Sequence, residues 1–514
     1  MESDGGDVFD ELLRREAPPG ACRLAVDATL GRHLVATRSI PAGDVFLRCE
    51  SLIAGPKATG DAVCLGCCRP LGPGPRYACE GCGWPLCSAA CGRAPGHRDE
   101  CVALAAAPDD ARPRPASTPP AHWYAGVLPL RCLQLQGLEG RAVRALQSHL
   151  GERTRASAAY RGQGLQRRAA GFVARVLDVP EEEALRMAAV LDTNAFDVGR
   201  DGVEARALFG SVSMLAHDCQ ANARCAMLGE LELGVLAQRD IAPGDVVCIS
   251  YYADSLRGPL ERRRHLRATK CFDCSCARCS DPADLGLHLD SIRCIRCRPR
   301  AGTPLLLVST AALDSAADWR CPRCAFTLSA EQMLLGHRRL RAQVDALNGG
   351  GGGDPARAEA FLAEHLGPGG LLHATSAHIL RVKHDLLGGA YAFIPGCTPA
   401  LAVSDDRLER ATAMCVDMLE VVSVLEPGLS VLRGSLLLRL LGLLLERARR
   451  GGARENVHHA RRLFREAEVI FMDLDTKVEL RKRKKIMEMW IGENIKLEDE
   501  QQEEEGRAAV LSPR

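Results

Sequence analysis

The sequence has 514 residues, of which 46% are hydrophobic and 25% are charged, and its formal net charge is +1. A single core rarely exceeds about 250–300 residues, so the length predicts several domains. The near-zero charge excludes a global basic field of the kind that attracts nucleic acid. Residues 1–11 are acidic and lack an apolar segment, so we expect no secretory signal.

The 24 cysteines are the strongest compositional signal, and many of them occur as CxxC or CxC pairs. Disulfides would need an oxidising compartment. Paired thiolates in a reducing compartment are typical zinc ligands. We therefore predict an intracellular protein, in the nucleus, the cytoplasm or both.

Two segments share a strand–turn–strand pattern that is typical of a hairpin. Residues 31–46 turn at Pro-Ala-Gly-Asp, and residues 236–247 turn at Pro-Gly-Asp. The similarity favours one all-β core that a long insertion divides. Two unrelated hairpins are the alternative, because a turn tetrapeptide is weak evidence by itself.

The first cysteine cluster lies between the two segments, at residues 64–101. Its eight ligand-type residues are Cys64, Cys67, Cys79, Cys82, Cys87, Cys91, His97 and Cys101. Eight ligands suffice for two four-coordinate zinc ions, and each CxxC knuckle can bring two sulfurs to one ion. Metal binding must supply most of the folding energy of so small a segment. Free structural cysteines are the alternative interpretation, and Cys68 is a spare thiol.

Residues 103–120 are rich in Ala, Pro and Asp, which indicates a linker. Residues 123–187 have apolar spacings of three and four, which predict helices, with a loop at 161–164.

Two further cysteine sets follow. The triplet Cys274, Cys276 and Cys279 lacks one ligand for a tetrahedral site. The second set has zinc-ribbon spacing, with Trp319 expected to pack on its second knuckle. Its ligands are Cys294, Cys297, Cys321 and Cys324. We favour a ribbon that only braces the C-terminal region.

Residues 329–497 have a helical pattern, with a flexible Gly loop at 348–354 and no clean 34-residue repeat. The apolar run at 431–445 is broken by Arg433 and Arg439, so it predicts a buried amphipathic helix and no membrane span. The basic run at 481–485 fits a nuclear-localisation signal or, as we favour, a solvated helix face. The acidic segment 498–505 is expected to be frayed.

Four motifs together resemble a known family. They are Asn194-Ala195-Phe196, Ala216-His217-Asp218-Cys219-Gln220-Ala221-Asn222, Ile249-Ser250-Tyr251-Tyr252 and the cysteine triplet at 274–279. They resemble the catalytic half of a SET-domain lysine methyltransferase with its post-SET segment. The cluster at 64–101 resembles a MYND finger. The whole order resembles the SET-and-MYND family, and residues 272–282 are most similar to its arthropod SmydA-type branch.

The resemblance implies an α+β multidomain protein with a split, β-rich SET domain. The implied segments are an N-terminal tail (1–20), the two SET parts (21–60 and 191–255), an inserted MYND zinc finger (64–101), a helical insert (120–190), a post-SET site (270–282), a zinc ribbon-like segment (290–328), a C-terminal α-helical TPR-like domain (329–497) and an acidic tail (498–514).

The family also implies how the zinc ligands are grouped. One finger ion takes Cys64, Cys67, Cys87 and Cys91, and the other takes Cys79, Cys82, His97 and Cys101. Cys219 supplies the ligand that the 274–279 triplet lacks, and this third ion would tie the post-SET segment over the catalytic pocket. MYND fingers of the family bind Pro-rich peptides, so the resemblance implies such partners and no direct contact with nucleic acid.

The implied activity is an S-adenosylmethionine-dependent protein lysine N-methyltransferase that acts on a histone tail or another protein, as a monomer. A neutral amine attacks the sulfonium methyl, which requires alignment of both reactants. By motif match Tyr251 is the catalytic residue and also contacts the cofactor. The other cofactor-binding residues are Gly31, Arg32, Asn194, His217 and Phe272. Tyr251, His217 and Phe272 are otherwise plain core residues.

Three positions depart from the family pattern. Ala216 replaces the Asn of Asn-His-Ser-Cys, which removes a cofactor contact and a hydrogen bond that stabilises the knot. His33 replaces the second Gly of Gly-x-Gly and crowds the backbone. Lys270 stands where many relatives have a second tyrosine. These departures leave an alternative open, a catalytically weak or inactive scaffold that recruits protein partners in transcriptional regulation.

Overall fold

The computed structural model describes residues 4–57, 62–72, 77–113, 119–198, 203, 205–297, 305–348, 354–389, 391, 404–450 and 455–471. The basic run at 481–485 and the acidic segment at 498–505 lie outside these residues. The chain divides into a first unit, Met1–Tyr251 with Arg264–Asp273, and a second unit, Tyr252–Arg263 with Cys274–Arg514. Among the described helices, none is long and apolar enough to cross a membrane.

The first unit combines short strands with helices. Its strands are β1 (Cys22–Asp27), β2 (Gly31–Ala36), β3 (Val45–Pro56), β4 (Tyr77–Ala78), β5 (Pro85–Leu86), β6 (Phe196–Asp197), β7 (Ala205–Phe209), β8 (Ala216–His217), β9 (Ala223–Met227), β10 (Glu232–Ala237) and β11 (Cys248–Ile249). Its helices are α1 (Asp4–Glu16), α2 (Ala89–Gly92), α3 (Pro95–Ala106), α4 (Ala121–Gln134), α5 (Gly137–Ala145), α6 (Leu150–Ala156), α7 (Leu165–Leu177) and α8 (Glu181–Asn194). Short 3-10 helices lie at Asp109–Ala111, Ala158–Tyr160 and Ser211–Met214.

The largest sheet confirms that one β core is divided by an insertion. Its strand order is β6-β7-β3-β10-β9, so β3, from before the insertion, lies between β7 and β10, from after it. Strand β3 pairs with β10 and with β7, both antiparallel. The interpretation as two unrelated hairpins is therefore wrong.

The hairpin interpretation within each segment is also wrong. Strand β2 pairs with β1, and the two strand–turn–strand segments bridge each other at Val35–Val246 and Ile40–Ile241. The turns do repeat one conformation, because Gly43 and Gly244 have φ of 91° and 93°. Only glycine adopts that region without strain, which explains the shared Gly-Asp sequence.

The assignment of residues 1–20 to a tail requires a correction, because α1 occupies most of that segment. Val8, Phe9, Leu12 and Leu13 are buried in the core of the first unit. Their spacing of three and four residues gives the helix one apolar face.

The insert is helical as expected, and aromatic packing joins it to the finger segment, which we define as residues 64–101. Trp84 lies edge-on to Tyr124, with ring centroids 5.2 Å apart. Trp123 stacks on Phe172 at 5.2 Å. All four rings are buried, so the finger segment and helices α4 and α7 share one core.

The second unit is mostly helical. Helix α9 (Pro259–Lys270) is divided between the units, and it is followed by α10 (Ala277–Ser280), β12 (Val308–Ser309), β13 (Trp319–Arg320), β14 (Thr327–Leu328), α11 (Ala330–Asn348), α12 (Pro355–Leu366), α13 (Ala377–Gly388), α14 (Asp405–Leu425), α15 (Val431–Arg449) and α16 (Glu455–Ile470). The apolar run at 431–445 forms α15, and most of its leucines are buried in the helical core. Trp319 packs with Cys294 and Cys321, as predicted.

Candidate functional site

Four groups of side chains could each hold a metal ion, because the ligand atoms of each group lie within 4.8 Å of one another. The groups are Cys64, Cys67, Cys87 and Cys91; Cys79, Cys82, His97 and Cys101; Cys219, Cys274, Cys276 and Cys279; and Cys294, Cys297, Cys321 and Cys324. The first two are the interleaved sets that the resemblance implied.

Backbone N–H groups already favour thiolates in two of these groups. Burial alone raises the pKa of Cys79, but the N–H groups of Cys82 and Gly81 and the His97 ring outweigh it, so the pKa falls to about 6. The pKa of Cys321 falls to about 7 in the same way, because N–H groups of its own knuckle outweigh burial. Thiolates are the form that binds metal.

A buried carboxylate and a buried guanidinium orient the histidine of the second group. His97 Nδ1 lies 2.9 Å from Glu100 Oε1, which leaves Nε2 facing the Cys79 sulfur at 3.4 Å. Arg131 donates to both Glu100 oxygens, at 2.6 and 2.7 Å, and also to the Ala54 carbonyl on β3. Such carboxylate–histidine pairs are typical of zinc sites.

The triplet of the second unit has a buried cationic neighbour. Arg262 Nε donates to the Cys279 sulfur at 3.4 Å, and Arg262 and Arg278 share the carboxylate of Asp284 at 2.8 and 2.9 Å. All three charged side chains are at most 1% exposed. Arg262 thus places a cation beside the Cys279 sulfur, which fits a thiolate that binds metal.

Three of the predicted cofactor residues come together in the first unit. The His217 ring lies 5.2 Å from the Tyr251 ring and 5.8 Å from the Phe272 ring. Tyr251 and Phe272 are edge-on at 6.3 Å. Parallel pairing of β8 with β11 fixes this arrangement, because it sets His217 beside Ile249, two residues before Tyr251.

The Tyr251 side chain is held at its hydroxyl. The hydroxyl donates to the Leu215 carbonyl at 2.5 Å, and the Tyr251 N–H donates to His217 Nδ1 at 3.1 Å. Burial, followed by the nearby Cys248 and Cys225, raises the pKa of Tyr251 well above its usual range. The phenol therefore stays protonated at any physiological pH.

Lys270 approaches the same ring. Its Nζ lies 5.5 Å from the centre of the Tyr251 ring and donates to the Thr193 carbonyl at 2.7 Å. Burial, followed by Arg153 and Arg206, lowers the pKa of Lys270 to about 8.

The side chains of two other predicted cofactor residues are bonded elsewhere. Asn194 donates its amide hydrogens to the carbonyls of Gln147 and Val190, both at 2.8 Å. Arg32 donates to the Ala145 carbonyl and lies over the Phe9 ring at 5.0 Å. Gly31, at the start of β2, is exposed with φ 67°.

His33, which was expected to crowd the backbone, has a buried side chain. Its Nδ1 lies 3.0 Å from the Gly31 carbonyl, and its Nε2 lies 3.7 Å from Asp27. The side chain thus packs within the β1–β2 pair.

The Asn222 side chain makes two hydrogen bonds next to β11 that the sequence analysis did not predict. Its amide donates to the Val246 carbonyl at 2.9 Å, and its oxygen accepts from the Cys248 N–H at 2.8 Å. The side chain thus fixes the start of β11, the strand that leads to Tyr251. It supplies amide hydrogen bonds next to β11 although position 216 is alanine. The signal was present, because Asn222 closes the quoted motif that begins at Ala216.

A separate cavity of about 930 Å³ lies between the finger segment and the large sheet. Gly66, Arg131, Leu135, Val198 and Leu231 are among the residues that line it. Its lining does not include the rings around Tyr251, so it is distinct from the predicted methyl-transfer site.

Comparisons with known proteins agree with this architecture. A model of the SET domain matches residues 31–252. The SET domain-containing protein SmydA-8, isoform A, of Drosophila melanogaster is 28% identical over 332 residues, which is 62% of this chain and 67% of that protein. Histone-lysine N-methyltransferase SMYD3 of Homo sapiens is 40% identical over 72 residues, 14% of this chain and 16% of that protein.

Among solved structures, the SET domain of LSMT bound to lysine and AdoHcy is 13% identical, with a TM-score of 0.27, and covers 94% of this chain and 92% of that chain. A TM-score so low supports no argument about the site.

The divided sheet agrees with the match of residues 31–252 to a SET domain. The chain is also similar to SmydA-8 and, over a short stretch, to SMYD3.

Proposed function

We propose that this chain is an S-adenosylmethionine-dependent protein lysine N-methyltransferase of the SET-and-MYND type, acting on a histone tail or another protein. The observation that carries the proposal is Tyr251, whose hydroxyl is held by the Leu215 carbonyl within the cluster of the His217 and Phe272 rings. A relative at lower coverage is named a histone-lysine N-methyltransferase.

The rings of His217 and Phe272 and the hydroxyl of Tyr251 are the groups that would contact the cofactor. S-adenosylmethionine, when bound, supplies an electrophilic methyl group. His217 and Phe272 offer faces for the adenine, since stacking is a general way to hold a base. Because the Tyr251 proton is donated to Leu215, the lone pairs of its oxygen remain available to the methyl path. Its raised pKa keeps the oxygen protonated, so Tyr251 itself is not alkylated.

The replacement of Tyr251 by phenylalanine tests the proposal. Tyr251→Phe removes one buried hydrogen-bonding group, which is worth about 1–3 kcal/mol, so kcat should fall roughly 10- to 100-fold. Cofactor binding is measured by calorimetry and methyl transfer on a peptide array. Tyr77→Phe is the control, because the Tyr77 hydroxyl contacts Glu80 in the finger segment. An absence of both cofactor binding and label transfer in the wild type would sink the proposal.

We further propose that the four ligand groups hold four zinc ions and that the finger segment, as a MYND finger, binds Pro-rich peptides. Native mass spectrometry should show four zinc ions in the wild type and three in Cys64→Ser, because Cys64 belongs to the first group. Cys64→Ser should also lose binding to a Pro-rich peptide in fluorescence anisotropy. Cys68→Ser, at a thiol outside the four groups, should keep both. Peptide binding that survives in Cys64→Ser would contradict the proposal.

A second candidate is a SET scaffold with little or no activity, located in the nucleus or cytoplasm. The side-chain donors of Arg32 and Asn194 support it, because both are taken up by backbone carbonyls. Intact Pro-rich peptide binding without methyl transfer would favour the scaffold. Turnover that depends on Tyr251 would exclude it.

A further inference from the structure

Lys270 makes two contacts, and only one of them has a purely structural explanation. It is the last residue of α9, and its Nζ donates to the Thr193 carbonyl in the last turn of α8. Carbonyls in the last turn of a helix lack partners within the helix, so a cation there acts as a cap. The cap does not require Nζ to lie 5.5 Å from the centre of the Tyr251 ring, where it forms a cation–π contact.

The charged groups that face Lys270 come from several elements of the first unit. Arg153 on α6 and Arg206 on β7 lower its pKa, after burial as the main cause. Asp192 on α8 and Asp197 on β6 act in the opposite direction. With a pKa of about 8, Lys270 is still mostly protonated at pH 7. The face of the Tyr251 ring is therefore already occupied by a cation.

We propose that Lys270 is a specificity residue of the acceptor site, which repels a protonated acceptor amine from the face of the Tyr251 ring. This inference rests on the proposed function, because it concerns the amine that approaches Tyr251. A lysine side chain in solution is protonated at neutral pH and presents a second ammonium. Two like charges within a few ångströms in a partly buried site disfavour each other. The Lys270 charge therefore disfavours the protonated acceptor, and it also disfavours the positive charge that a neutral acceptor gains as it takes up the methyl group.

The pH dependence follows from the same charges. Below about pH 8 Lys270 is charged and the acceptor is repelled, and above it the repulsion fades. The value of kcat/KM for a lysine peptide should thus rise through pH 8 more steeply than deprotonation of the acceptor amine alone requires. A variant without the charge loses this additional rise.

The test compares Lys270→Gln with Lys270→Arg in the full chain. Glutamine keeps an N–H donor for the Thr193 carbonyl and loses the charge, whereas arginine keeps the charge. Lys270→Gln should raise kcat/KM for a lysine peptide at pH 7 about tenfold and should shrink the ratio of kcat/KM between pH 9 and pH 7. Lys270→Arg should gain nothing. Arg264→Met, which removes an exposed charge from the same helix, should behave as the wild type.

A cap alone predicts the opposite order, with Lys270→Arg active and Lys270→Gln impaired. Lower or unchanged kcat/KM in Lys270→Gln, with cofactor affinity and melting temperature retained, overturns the inference and leaves the proposed function intact. If Lys270→Gln does not fold, Lys270→Met is held to the same expectation. An absence of cofactor binding in the wild type and in every variant overturns the proposed function, and the inference falls with it.

Discussion

Glu100 connects His97, a ligand of the second metal group, to the buried Arg131. It is 1% exposed, it contacts His97 on one side, and it accepts two hydrogen bonds from Arg131 on the other. Arg131 continues to the carbonyls of Ala54 and Leu65. A buried ion pair contributes little relative to an apolar pair, but removing one partner leaves an uncompensated charge. The first unit should therefore be sensitive to the charge of this single carboxylate.

The substitution Glu100→Gln should lower the free energy of unfolding of the first unit by about 3 kcal/mol and reduce the zinc bound per chain, because Arg131 loses its counter-charge and His97 its orienting acceptor. Urea unfolding followed by tryptophan fluorescence, with zinc content measured in parallel, checks both effects. Asp99→Asn is the matched control, since the Asp99 side chain is 76% exposed. Stability within about 0.5 kcal/mol of the wild type in Glu100→Gln would contradict this account.

At the scale of elements, local turn chemistry was predictable and strand partners were not. The turns at Gly43 and Gly244 follow from short sequences, because a positive φ selects glycine wherever the turn occurs. The partner of β2 is β1, and that of β3 is β10, nearly two hundred residues away in the chain. Such pairing depends on which faces are buried together, and this information is not contained in either segment alone.

Helix α1 was missed for a related reason. Its acidic start dominated the composition of residues 1–11, and the apolar face of Val8, Phe9, Leu12 and Leu13 went unnoticed. The helix also contributes to the site region, because Phe9 lies under Arg32 and Glu16 accepts a hydrogen bond from the Ser211 N–H. Ser211 begins the short 3-10 helix that precedes Leu215, the partner of Tyr251.

At the candidate site, residues within short motifs were predictable, whereas side-chain partners distant in the sequence were not. Motif matching selected His217, Tyr251 and Phe272, and the structure brings these three rings together. It also assigned the zinc ligands to groups that the structure reproduces. It did not foresee that the side chains of Arg32 and Asn194 would bond to carbonyls of residues 145–147, because those partners belong to the helical insert.

At the scale of the whole molecule, the two units have separate cores, and the second contains a hydrogen-bonded histidine pair between α11 and α13. His337 Nε2 donates to the Asp290 carbonyl, so its Nδ1 accepts from His378 Nε2 at 3.0 Å. Burial, followed by His337, Arg341 and His365, lowers the pKa of His378 to about 3. A histidine with a depressed folded pKa stabilises the fold above its unfolded pKa, which is about 6.5, and this stability is lost as the pH falls.

Acidification should therefore weaken the second unit through His378. Between pH 7 and pH 5, His378 becomes protonated in the unfolded state but stays neutral in the folded state. This difference lowers the free energy of unfolding by about 2 kcal/mol. In His378→Gln the amide can still donate to His337 but does not titrate, so this part of the pH dependence should disappear in urea unfolding at the two pH values. His384→Gln, on the same helix with a side chain 36% exposed, should keep the wild-type dependence. Equal pH dependence in the wild type and His378→Gln would show that His378 is not the group responsible.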